Sequence, residues 1–386
     1  MKRPRVITII GTRPEAIKMA PVIREIAGRK DKLDHMLVAT AQHRELLDQV
    51  LSVFQLRPEI DLDLMQPDQQ LSEFAARSLE SLSKLFSELK PDLLLVQGDT
   101  TTVMTAALAA FYQRILIGHV EAGLRSFDLR NPFPEEMNRR LVGGLADLHF
   151  AATPLARTNL LSEGISDDKI HVTGNTIVDA LSFISLNGRF DDVSLNNVDF
   201  EKKRIILVTA HRRENHGAPL KSICHALKML VNEFQDIEIV FPVHLNPAVR
   251  AVVNQEMKTI SRVRLIEPLT YHDLLQLLKS CYLILTDSGG LQEESPSFHK
   301  PVLILREKTE RPEVVQVGAG KIVGTDAHRV FSETSQLLNK PEEYKKMCST
   351  ENPFGDGYAA KRIVNILEQT LCTSSNALGN DECELP

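Results

Sequence analysis

Carboxylate and imidazole groups stand directly after apolar segments of this chain. Asp99 follows the apolar residues 93–96, Glu121 follows the apolar segment 115–120, and His211 comes shortly after another such segment. Carboxylates can remove and return protons, and histidine can stabilise a departing anion. Together with a phosphate-binding segment, these residue types predict acid–base chemistry on the sugar of a nucleotide-sugar.

Two of the candidate acids also have a simpler structural interpretation. Asp99 could cap the helix that follows it. Glu135 stands four residues before Arg139 in the helix start PFPEEMNRR (132–140), where prolines, first-turn acids and an acid–arginine pair stabilise a helix locally. Which of Asp99, Glu121 and Glu135 acts as base and which as acid stays open at this point.

A phosphate cradle is predicted in the segment TDSGGLQEE (286–294). The apolar residues 282–285 predict a buried strand, and the strand stops at Gly289 and Gly290, which allow close backbone approach. A helix beginning there would direct free N–H groups and its positive dipole end at an anion. Glu294, about one turn later, could accept hydrogen bonds from a ribose. The alternative is a glycine-capped joint whose acids merely favour the helix dipole.

A second anion site is predicted at GTRPEAIK (11–18). Pro14 suits the first turn of a helix because its missing N–H would have no partner there. The side chains of Arg13 and Lys18 could both extend over this helix start, and two cations there would suit the binding of a diphosphate. The alternative is a Glu15–Lys18 surface pair worth ~0.2–0.5 kcal/mol.

The remaining polar clusters are TAHRREN (209–215), PVHLNP (242–247) and ERPE (310–313). The first offers His211 and two arginines for an anion or leaving group. His244 is a weaker candidate, for which a core or turn histidine is an equal alternative. The histidines are scattered and the clustered acids stand beside cations, so we expect no metal site and no cofactor. GxGxxG, Walker and GxSxG motifs are absent from the sequence.

Apolar and amphipathic segments alternate along the chain, as in a parallel sheet with helices on both faces. Strands are predicted at residues 6–10, 35–39, 93–97, 115–120 and 149–152, and again at 205–209, 237–242, 264–266, 282–286 and 302–305. A polar stretch from about residue 187 to residue 197 separates the two sets. The pattern predicts an α/β protein with two Rossmann-like domains and a cleft between them, where ligands bind in such folds.

Composition narrows the classes of function. The chain has 386 residues and a net charge of −6, which gives no general electrostatic reason to bind nucleic acid. Five scattered cysteines without metal-type spacing fit reduced thiols and a cytoplasmic protein. No apolar run approaches the ~20 residues that a membrane span requires, so we expect no membrane partner.

In this order the motifs resemble those of the bacterial non-hydrolysing UDP-N-acetylglucosamine 2-epimerases. The resemblance runs from about residue 5 to about residue 369 and rests on GTRPEAIKMAP (11–21), QGDTTT (97–102), HVEAGLRS (119–126), PFPEEMNRR (132–140), TGNTIVDAL (173–181), TAHRREN (209–215), PVHLNP (242–247), TDSGGLQEE (286–294) and TERPE (309–313). It implies the glycosyltransferase-B type of fold, a homodimer, and reversible conversion of UDP-GlcNAc to UDP-ManNAc without nicotinamide. The product would supply cell-surface polysaccharide.

We expect the domains to be residues 1–172 and 173–357. A helix at about 358–372 would pack back on the first domain, and residues 373–386 would form a polar tail. The alternatives for function are a UDP-sugar-dependent glycosyltransferase of the same fold and an epimerase acting on a related UDP-2-acetamido sugar.

The resemblance also implies residue roles. The catalytic residues would be Asp99, Glu121, Glu135 and His211, with Asp99 preferred as base and His211 stabilising the departing diphosphate. Substrate would be bound by Arg13, Lys18, Arg139, Leu269, Leu274, Ser288, Gly289, Gly290, Glu294 and Arg311. Leu269 and Leu274 belong to the loop that holds uracil in the family, and this sequence differs from some relatives there.

Many members of this family are activated by their own substrate at a second site. Gln42 matches that site, and His244 is a second regulatory candidate. Glu45 stands where activated relatives often carry Gln, and Gln69 stands where they often carry Arg. Losing a cation and an amide should weaken binding of a second diphosphate, so the resemblance predicts weak or absent homotropic activation.

Overall fold

The computed structural model describes residues 3–40, 44–66 and 69–378 of the chain. Within these ranges the residues up to Phe183 and those from Phe354 onward form one compact unit, and Ile184–Pro353 form a second. Each unit is built on its own parallel β-sheet with helices, which confirms the predicted α/β class.

The first unit contains a sheet that has seven strands among the described residues, in the order β3-β2-β1-β4-β5-β6-β7, all parallel. The strands are β1 (Arg5–Ile10), β2 (Asp34–Ala39), β3 (Ile60–Asp61), β4 (Leu93–Gln97), β5 (Leu116–Ala122), β6 (Leu148–Ala151) and β7 (Ile170–Val172). The helices that alternate with them are α1 (Arg13–Ala27), α2 (Arg44–Val53), α3 (Leu71–Leu89), α4 (Thr101–Tyr112), α5 (Glu135–Leu145), α6 (Pro154–Ser162) and α7 (Thr176–Leu181).

The second unit repeats this organisation with the strand order β10-β9-β8-β11-β12-β13, again all parallel. Its strands are β8 (Arg204–Thr209), β9 (Ile237–Pro242), β10 (Val263–Ile266), β11 (Leu283–Thr286), β12 (Val302–Ile304) and β13 (Gly320–Ile322). Its helices are α8 (Ala218–Glu233), α9 (Pro247–Met257), α10 (Tyr271–Ser280), α11 (Gly289–Glu294), α12 (Pro312–Gln316), α13 (Ala327–Asn339) and α14 (Pro341–Cys348).

The last helix, α15 (Ala359–Leu378), belongs to the first unit. The Asp179 carboxylate accepts the backbone N–H groups of Ala359 at 3.2 Å and Ala360 at 2.9 Å, which satisfies the start of α15. Because α7 carries this carboxylate and packs against α1, the first unit extends to Phe183 rather than ending at residue 172. Helix α15 also continues to Leu378, into the stretch where a polar tail is expected; residues 379–386 lie outside the described part.

The strongest apolar runs form the central strands, as predicted. The side chains of β4 and β11 are buried throughout, as expected for parallel strands covered by helices on both faces. Strands β3, β7 and β13 have two or three residues each and were not predicted, because such short edge segments carry no periodic signal. No helix in the described ranges is long and apolar enough to cross a membrane.

Each sheet reverses its strand order once, between β1 and β4 in the first unit and between β8 and β11 in the second. Ligands of doubly wound sheets bind outside the carboxyl ends of the strands at such a switch point. The residues that follow β1, β4, β5, β8 and β11 therefore form the candidate sites of the two units.

Candidate functional site

Glu121 near the end of β5 has an unusual backbone conformation. Its φ is +65°, in the left-handed region that residues other than glycine rarely adopt. The pairing of β5 with β6 shifts register between Val120 and Ala122, so Glu121 is the extra residue of a β-bulge. Bulges of this kind re-aim a side chain at the end of a strand, often beside an active site.

The Glu121 carboxylate lies against a buried cation. Lys18 Nζ donates to Glu121 Oε2, and both side chains are almost completely buried. Asn175 Nδ2 donates to the same oxygen at 3.1 Å. A buried charge pair needs such extra hydrogen bonds to offset the cost of desolvation. The structure thus brings together two residues predicted for the site, Lys18 from α1 and Glu121 from β5.

Asp99, which follows β4, receives the guanidinium of Arg139. Arg139 Nε donates to Asp99 Oδ2 at 2.9 Å, while its Nη1 donates to Glu136 Oε2 at 2.7 Å. The helix after Asp99 is capped by Thr100, whose hydroxyl accepts the N–H of Val103 at 3.3 Å. The alternative interpretation of Asp99 as a helix cap is therefore wrong.

The backbone around Asp99 is held by two further side chains. His119 Nε2 donates to the carbonyl of Gly98 at 2.8 Å, and Asn138 Nδ2 donates to the carbonyl of Asp99 at 2.9 Å. Burial lowers the pKa of His119 to about 3, so the ring is neutral near pH 7. His119 and Asn138 therefore position the turn that presents the Asp99 carboxylate.

Glu15 is a buried acid at the start of α1. Its carboxylate accepts the N–H of Gly11 at 2.5 Å, the N–H of Thr12 at 2.9 Å and the hydroxyl of Thr100 at 2.6 Å. Burial raises the pKa of Glu15 to about 7, although these hydrogen bonds oppose the rise. Glu15 and Lys18 are both buried, so the alternative of a Glu15–Lys18 surface pair is wrong.

Arg13 and Glu135 occupy the first positions of α1 and α5, and both are half-buried. Arg139 donates to the neighbouring Glu136, which also accepts the backbone N–H groups of Ser126 and Phe127 at 3.0 and 3.2 Å. Glu136 therefore ties the loop between β5 and α5 to the helix that carries Glu135.

In the second unit, Gly289 follows Ser288 after β11 and begins α11. A Cβ built on Gly289 would lie 2.6 Å from both Cζ and Nη1 of Arg311, so the guanidinium would have to move if residue 289 carried a side chain. A Cβ on Gly290 would meet only Ser288 Oγ at 3.9 Å. Gly289 is therefore required for the close approach of the Arg311 guanidinium to the start of α11.

Arg311 is held in this position by two buried carboxylates. Its Nε donates to Glu293 Oε1 and its Nη1 to Glu310 Oε1, each at 2.6 Å. Glu310 also accepts Arg306 Nη1 at 2.7 Å, and Arg212 Nη2 approaches it at 3.4 Å. The buried Glu310 carboxylate thus contacts three guanidinium groups beside the predicted phosphate cradle.

The predicted ribose and uracil contacts lie around the start of α10. Glu294 is buried and accepts the hydroxyl of Tyr271 at 2.8 Å. Leu269 is buried just before α10, and Leu274 is half-buried within its first turns. Thr270 caps the helix by accepting the N–H of Asp273 at 3.2 Å, which fixes the loop that carries Leu269.

His211 lies opposite Asp287, which follows the neighbouring strand β11. The two side-chain atoms His211 Nδ1 and Asp287 Oδ1 are 3.1 Å apart, and the Asp287 side chain is completely buried. The imidazole of His244 stacks on that of His211 with centroids 5.4 Å apart and planes inclined by 16°. Burial and the neighbouring His211 lower the pKa of His244. The structure thus places the regulatory candidate His244 directly beside the catalytic candidate His211.

Sequence reasoning missed five residues that the structure places at these sites: His119 as a positioning residue, Glu15, Glu136, Tyr271 and Asp287. Each is a polar residue within a motif already singled out or beside one. The signal for Asp287 is its position directly after a strand, in the way that His211 comes shortly after another strand. Two such residues can meet only if their strands are neighbours, and the sheet order decides this.

The predicted activation segment is only partly described. Gln42 lies outside the described residues, as does the side chain of Glu45. Gln69 is described, and its Oε1 accepts Nη2 of Arg77. A cation therefore lies beside the position where activated relatives often carry Arg.

One group of potential metal ligands occurs in the described residues, formed by Asp191, His272 and Asp273 in the second unit. The two carboxylate oxygens of Asp273 accept the N–H groups of Asp191 and Asp192, each at 2.9 Å. The carboxylate therefore ties the backbone of residues 191–192 to the first turn of α10, and we assign it no ion.

The two sheets and their strand-end residues define an α/β protein of the glycosyltransferase-B type. A family model described as UDP-N-acetylglucosamine 2-epimerase matches residues 25–368. The UDP-N-acetylglucosamine 2-epimerase of Bacillus subtilis (strain 168) is 49% identical over 367 residues, covering 95% of this chain and 96% of that protein. That of Escherichia coli (strain K12) is 49% identical over 372 residues, covering 94% and 98%.

Solved structures agree with these relatives. The structure described as "S. aureus MnaA-UDP co-structure" matches with a TM-score of 0.90 and 47% identity, over 95% of this chain and 97% of that one. UDP-GlcNAc 2-epimerase from Neisseria meningitidis bound to UDP-GlcNAc matches with a TM-score of 0.88 and 44% identity, over 95% and 100%. The chain belongs to the UDP-N-acetylglucosamine 2-epimerase family, and it is an epimerase. The resemblance found in the sequence is confirmed.

Proposed function

We propose that the protein interconverts UDP-N-acetylglucosamine and UDP-N-acetylmannosamine without hydrolysing either and without a nicotinamide cofactor. The observation that carries the proposal is the set of carboxylates at adjacent strand ends of the first unit, Asp99 after β4 and Glu121 in β5, each in contact with a cation. The relative from Neisseria meningitidis, whose structure contains UDP-GlcNAc, supports the choice of substrate.

The hydrogen on carbon 2 of the sugar is not beside a carbonyl, so simple deprotonation would leave an unstabilised carbanion. In the proposed reaction a base takes this proton while the bond from carbon 1 to the diphosphate oxygen breaks. The electron pair of the C–H bond forms a C1=C2 double bond, and UDP leaves with the pair of the C–O bond. The intermediate is a 2-acetamidoglucal. UDP then attacks carbon 1 again while an acid delivers a proton to the opposite face of carbon 2.

In the first unit we assign the proton transfers to the three acids. Asp99 is the proposed base, and Glu121 and Glu135 manage protonation and return, each transfer contributing about 10²–10⁴-fold to the rate. Arg13 and Lys18 would bind the substrate. Arg139, which reaches Asp99 and Glu136, would hold Asp99 in position for the substrate.

In the second unit we assign the binding of uridine diphosphate. Ser288, Gly289 and Gly290 would surround the phosphates, with Arg311 beside them. Glu294 would accept the ribose hydroxyls, and Leu269 and Leu274 would contact uracil. His211 would stabilise the diphosphate as it leaves and hold it for re-addition.

Incubation with UDP-GlcNAc in deuterated water, followed by NMR, tests the proposal. We expect UDP-ManNAc carrying deuterium at carbon 2. Product without deuterium would contradict the elimination route, and free ManNAc with UDP would indicate a hydrolysing enzyme. Turnover only after addition of an acceptor sugar would indicate a glycosyltransferase. Turnover of a related UDP-2-acetamido sugar but not of UDP-GlcNAc would show that the related sugar is the substrate.

The proposal includes a cytoplasmic homodimer that supplies a precursor of cell-surface polysaccharide. The described cysteines, Cys224, Cys281, Cys348 and Cys372, are free thiols, in keeping with a reducing compartment. Large apolar side chains are exposed on α4 and α5, including Phe111, Tyr112 and Leu141, which favours an interface there. Light scattering of the purified protein should give twice the chain mass of 43.2 kDa.

We further propose that homotropic activation is weak or absent, because Gln69 and Glu45 stand where activated relatives often carry Arg and Gln. Initial rates against UDP-GlcNAc concentration should follow a hyperbola. A strongly sigmoidal curve would contradict this proposal, and loss of that curvature in Arg77→Ala would identify Arg77 as the substituting cation.

A further inference from the structure

The end of β11 and the end of β8 are joined in register. Thr209 pairs with Thr286 across the two strands, and their hydroxyl groups are 2.6 Å apart. The two strands therefore end at the same edge of the sheet and at the same level along the strand direction. Asp287 follows one strand immediately, and His211 follows the other after a single alanine.

Asp287 uses its two carboxylate oxygens for different purposes. Oδ2 accepts the backbone N–H groups of His211 and Arg212, each at 2.8 Å, and the side-chain N–H of Asn215 at 2.9 Å. Oδ1 lies 3.1 Å from His211 Nδ1. One oxygen anchors the loop, and the other faces the imidazole of the same loop.

The Asp287 carboxylate is ionised near neutral pH. Burial alone would raise its pKa, but the imidazole of His211 and the N–H groups of Arg212 and His211 more than offset burial and lower it. An ionised carboxylate only accepts hydrogen bonds. The ionised Oδ1 at 3.1 Å therefore favours the tautomer of His211 with its proton on Nδ1, which leaves Nε2 as the nitrogen available to a ligand.

The imidazole is restrained on two sides. Asp287 holds its Nδ1 edge, and His244 stacks on its face. The side chain of His211 nevertheless remains 35% exposed, so part of the imidazole is open to a bound molecule. This combination orients a histidine without covering it.

We propose that Asp287 is a positioning residue for the epimerisation: it holds His211 with its proton on Nδ1 so that Nε2 is directed at the departing diphosphate. This inference rests on the proposed role of His211. Asp287 itself touches no reacting atom, and it acts only through His211. Its effect should therefore appear in the tautomer of His211 and in kcat, and it should vanish when His211 is removed.

The first test is the tautomer of His211 in the protein without substrate. In Asp287→Asn the amide oxygen can still accept the loop N–H groups, while the amide NH₂ faces Nδ1 and must donate to it. The proton then moves to Nε2. Long-range ¹⁵N–¹H NMR of ¹⁵N-histidine protein should show Nδ1–H for wild type and Nε2–H for the variant. His211→Gln identifies the signal among the 12 histidines.

Asn215→Ala is the matched control, because it removes a donor to Asp287 Oδ2 and leaves the Oδ1 contact with His211 intact. We expect comparable destabilisation in thermal unfolding but the wild-type tautomer. An Nε2–H tautomer in wild type, or an unchanged tautomer in Asp287→Asn, would overturn the proposal.

The second test is a double-mutant cycle on kcat. Asp287→Asn should lower kcat about 10²-fold while KM for UDP-GlcNAc changes little, and it should lower kcat less than threefold in a His211→Gln background. Additive losses would show a structural role and overturn the proposal, as would an unchanged kcat in His211→Gln alone. A wild-type protein that incorporates no deuterium into its product would instead overturn the proposed function, while the NMR result on Nδ1 would still stand.

Discussion

The two units use the same sheet design but differ in how exposed their carboxylates are. In the first, Asp99 keeps a quarter of its side chain exposed, whereas Glu121 on its bulge is almost completely buried against Lys18. In the second, Asp287, Glu293 and Glu310 are at most 1% exposed and are occupied by arginine, histidine and backbone donors. The acid proposed as base is thus one that a ligand can reach, whereas the carboxylates of the second unit are covered by the positive groups that they position.

The backbone at the strand ends also differs between the two units. The first unit strains a glutamate into the left-handed region at φ +65° to place an acid. The second uses Gly289, where the missing side chain lets a guanidinium approach the backbone. The first conformation positions a proposed catalytic acid and the second makes room for the Arg311 guanidinium, so substitutions at the two positions should affect different kinetic constants.

The largest effect is expected from Asp99→Asn in the first unit. The amide keeps the shape of the side chain but cannot take a proton, and Arg139 retains its contact with Glu136. We expect kcat to fall about 10²–10⁴-fold. Calorimetry should show unchanged UDP affinity. Asp31→Asn, an exposed change in the same unit, is the control. A kcat within threefold of wild type would remove Asp99 from the chemistry.

The next effect concerns pH and Glu15. Because the folded pKa is raised from 4.5 to about 7, the folded state binds a proton that the unfolded state has released over this range. The free energy of unfolding should therefore fall as pH rises from about 4.5 to about 7, by up to ~1.4 kcal/mol per pH unit from this group. In Glu15→Gln this contribution disappears.

Urea unfolding at several pH values measures this dependence, with the exposed Glu80→Gln as control. Asp287 should show the opposite sign. Its folded pKa is lowered, so its contribution is present above the unfolded pKa of about 3.8 and is lost as pH falls through the folded value. Equal pH slopes for wild type and Glu15→Gln would contradict the assignment of a raised pKa.

A smaller effect is expected from Gly289→Ala in the second unit. The added Cβ would displace the Arg311 guanidinium, so UDP should bind about 10–100-fold more weakly, or roughly 1.4–2.7 kcal/mol. Gly28→Ala at the end of α1, where the nearest atom to an added Cβ is 3.4 Å away, is the control. If UDP affinity is retained, the cradle does not depend on this approach.

The smallest effect is expected from Tyr271→Phe. The change removes the hydrogen bond to Glu294 and frees its carboxylate to move, so KM for UDP-GlcNAc should rise about fivefold, equivalent to ~1 kcal/mol. Tyr344→Phe removes a comparable hydrogen bond, to the carbonyl of Tyr282 at 2.9 Å, elsewhere in the second unit. It should cost similar stability and leave KM unchanged. An equal KM in both variants would show that Glu294 needs no positioning.

Local sequence patterns predicted most of the sheet and the family. Apolar runs such as β4 and β11 are long enough to be recognised, and the motifs after them are distinctive. Contacts between distant segments were not predictable in the same way. The pairing of Lys18 with Glu121, of Arg139 with Asp99 and of His211 with Asp287 depends on which strands are neighbours. The choice of Thr100 over Asp99 as helix cap depends on backbone angles that the sequence alone leaves open.

The left-handed conformation of Glu121 has a consequence for selection. A residue other than glycine in this conformation costs about 1–2 kcal/mol, whereas a whole domain is commonly stable by only about 5–15 kcal/mol. Glycine at this position would relieve the strain but leave the buried Lys18 cation without the Glu121 carboxylate, so a chain released from selection for turnover should lose the acid and the lysine together. Residue 121 should therefore distinguish chains of this fold that still perform the reaction from those that have lost it.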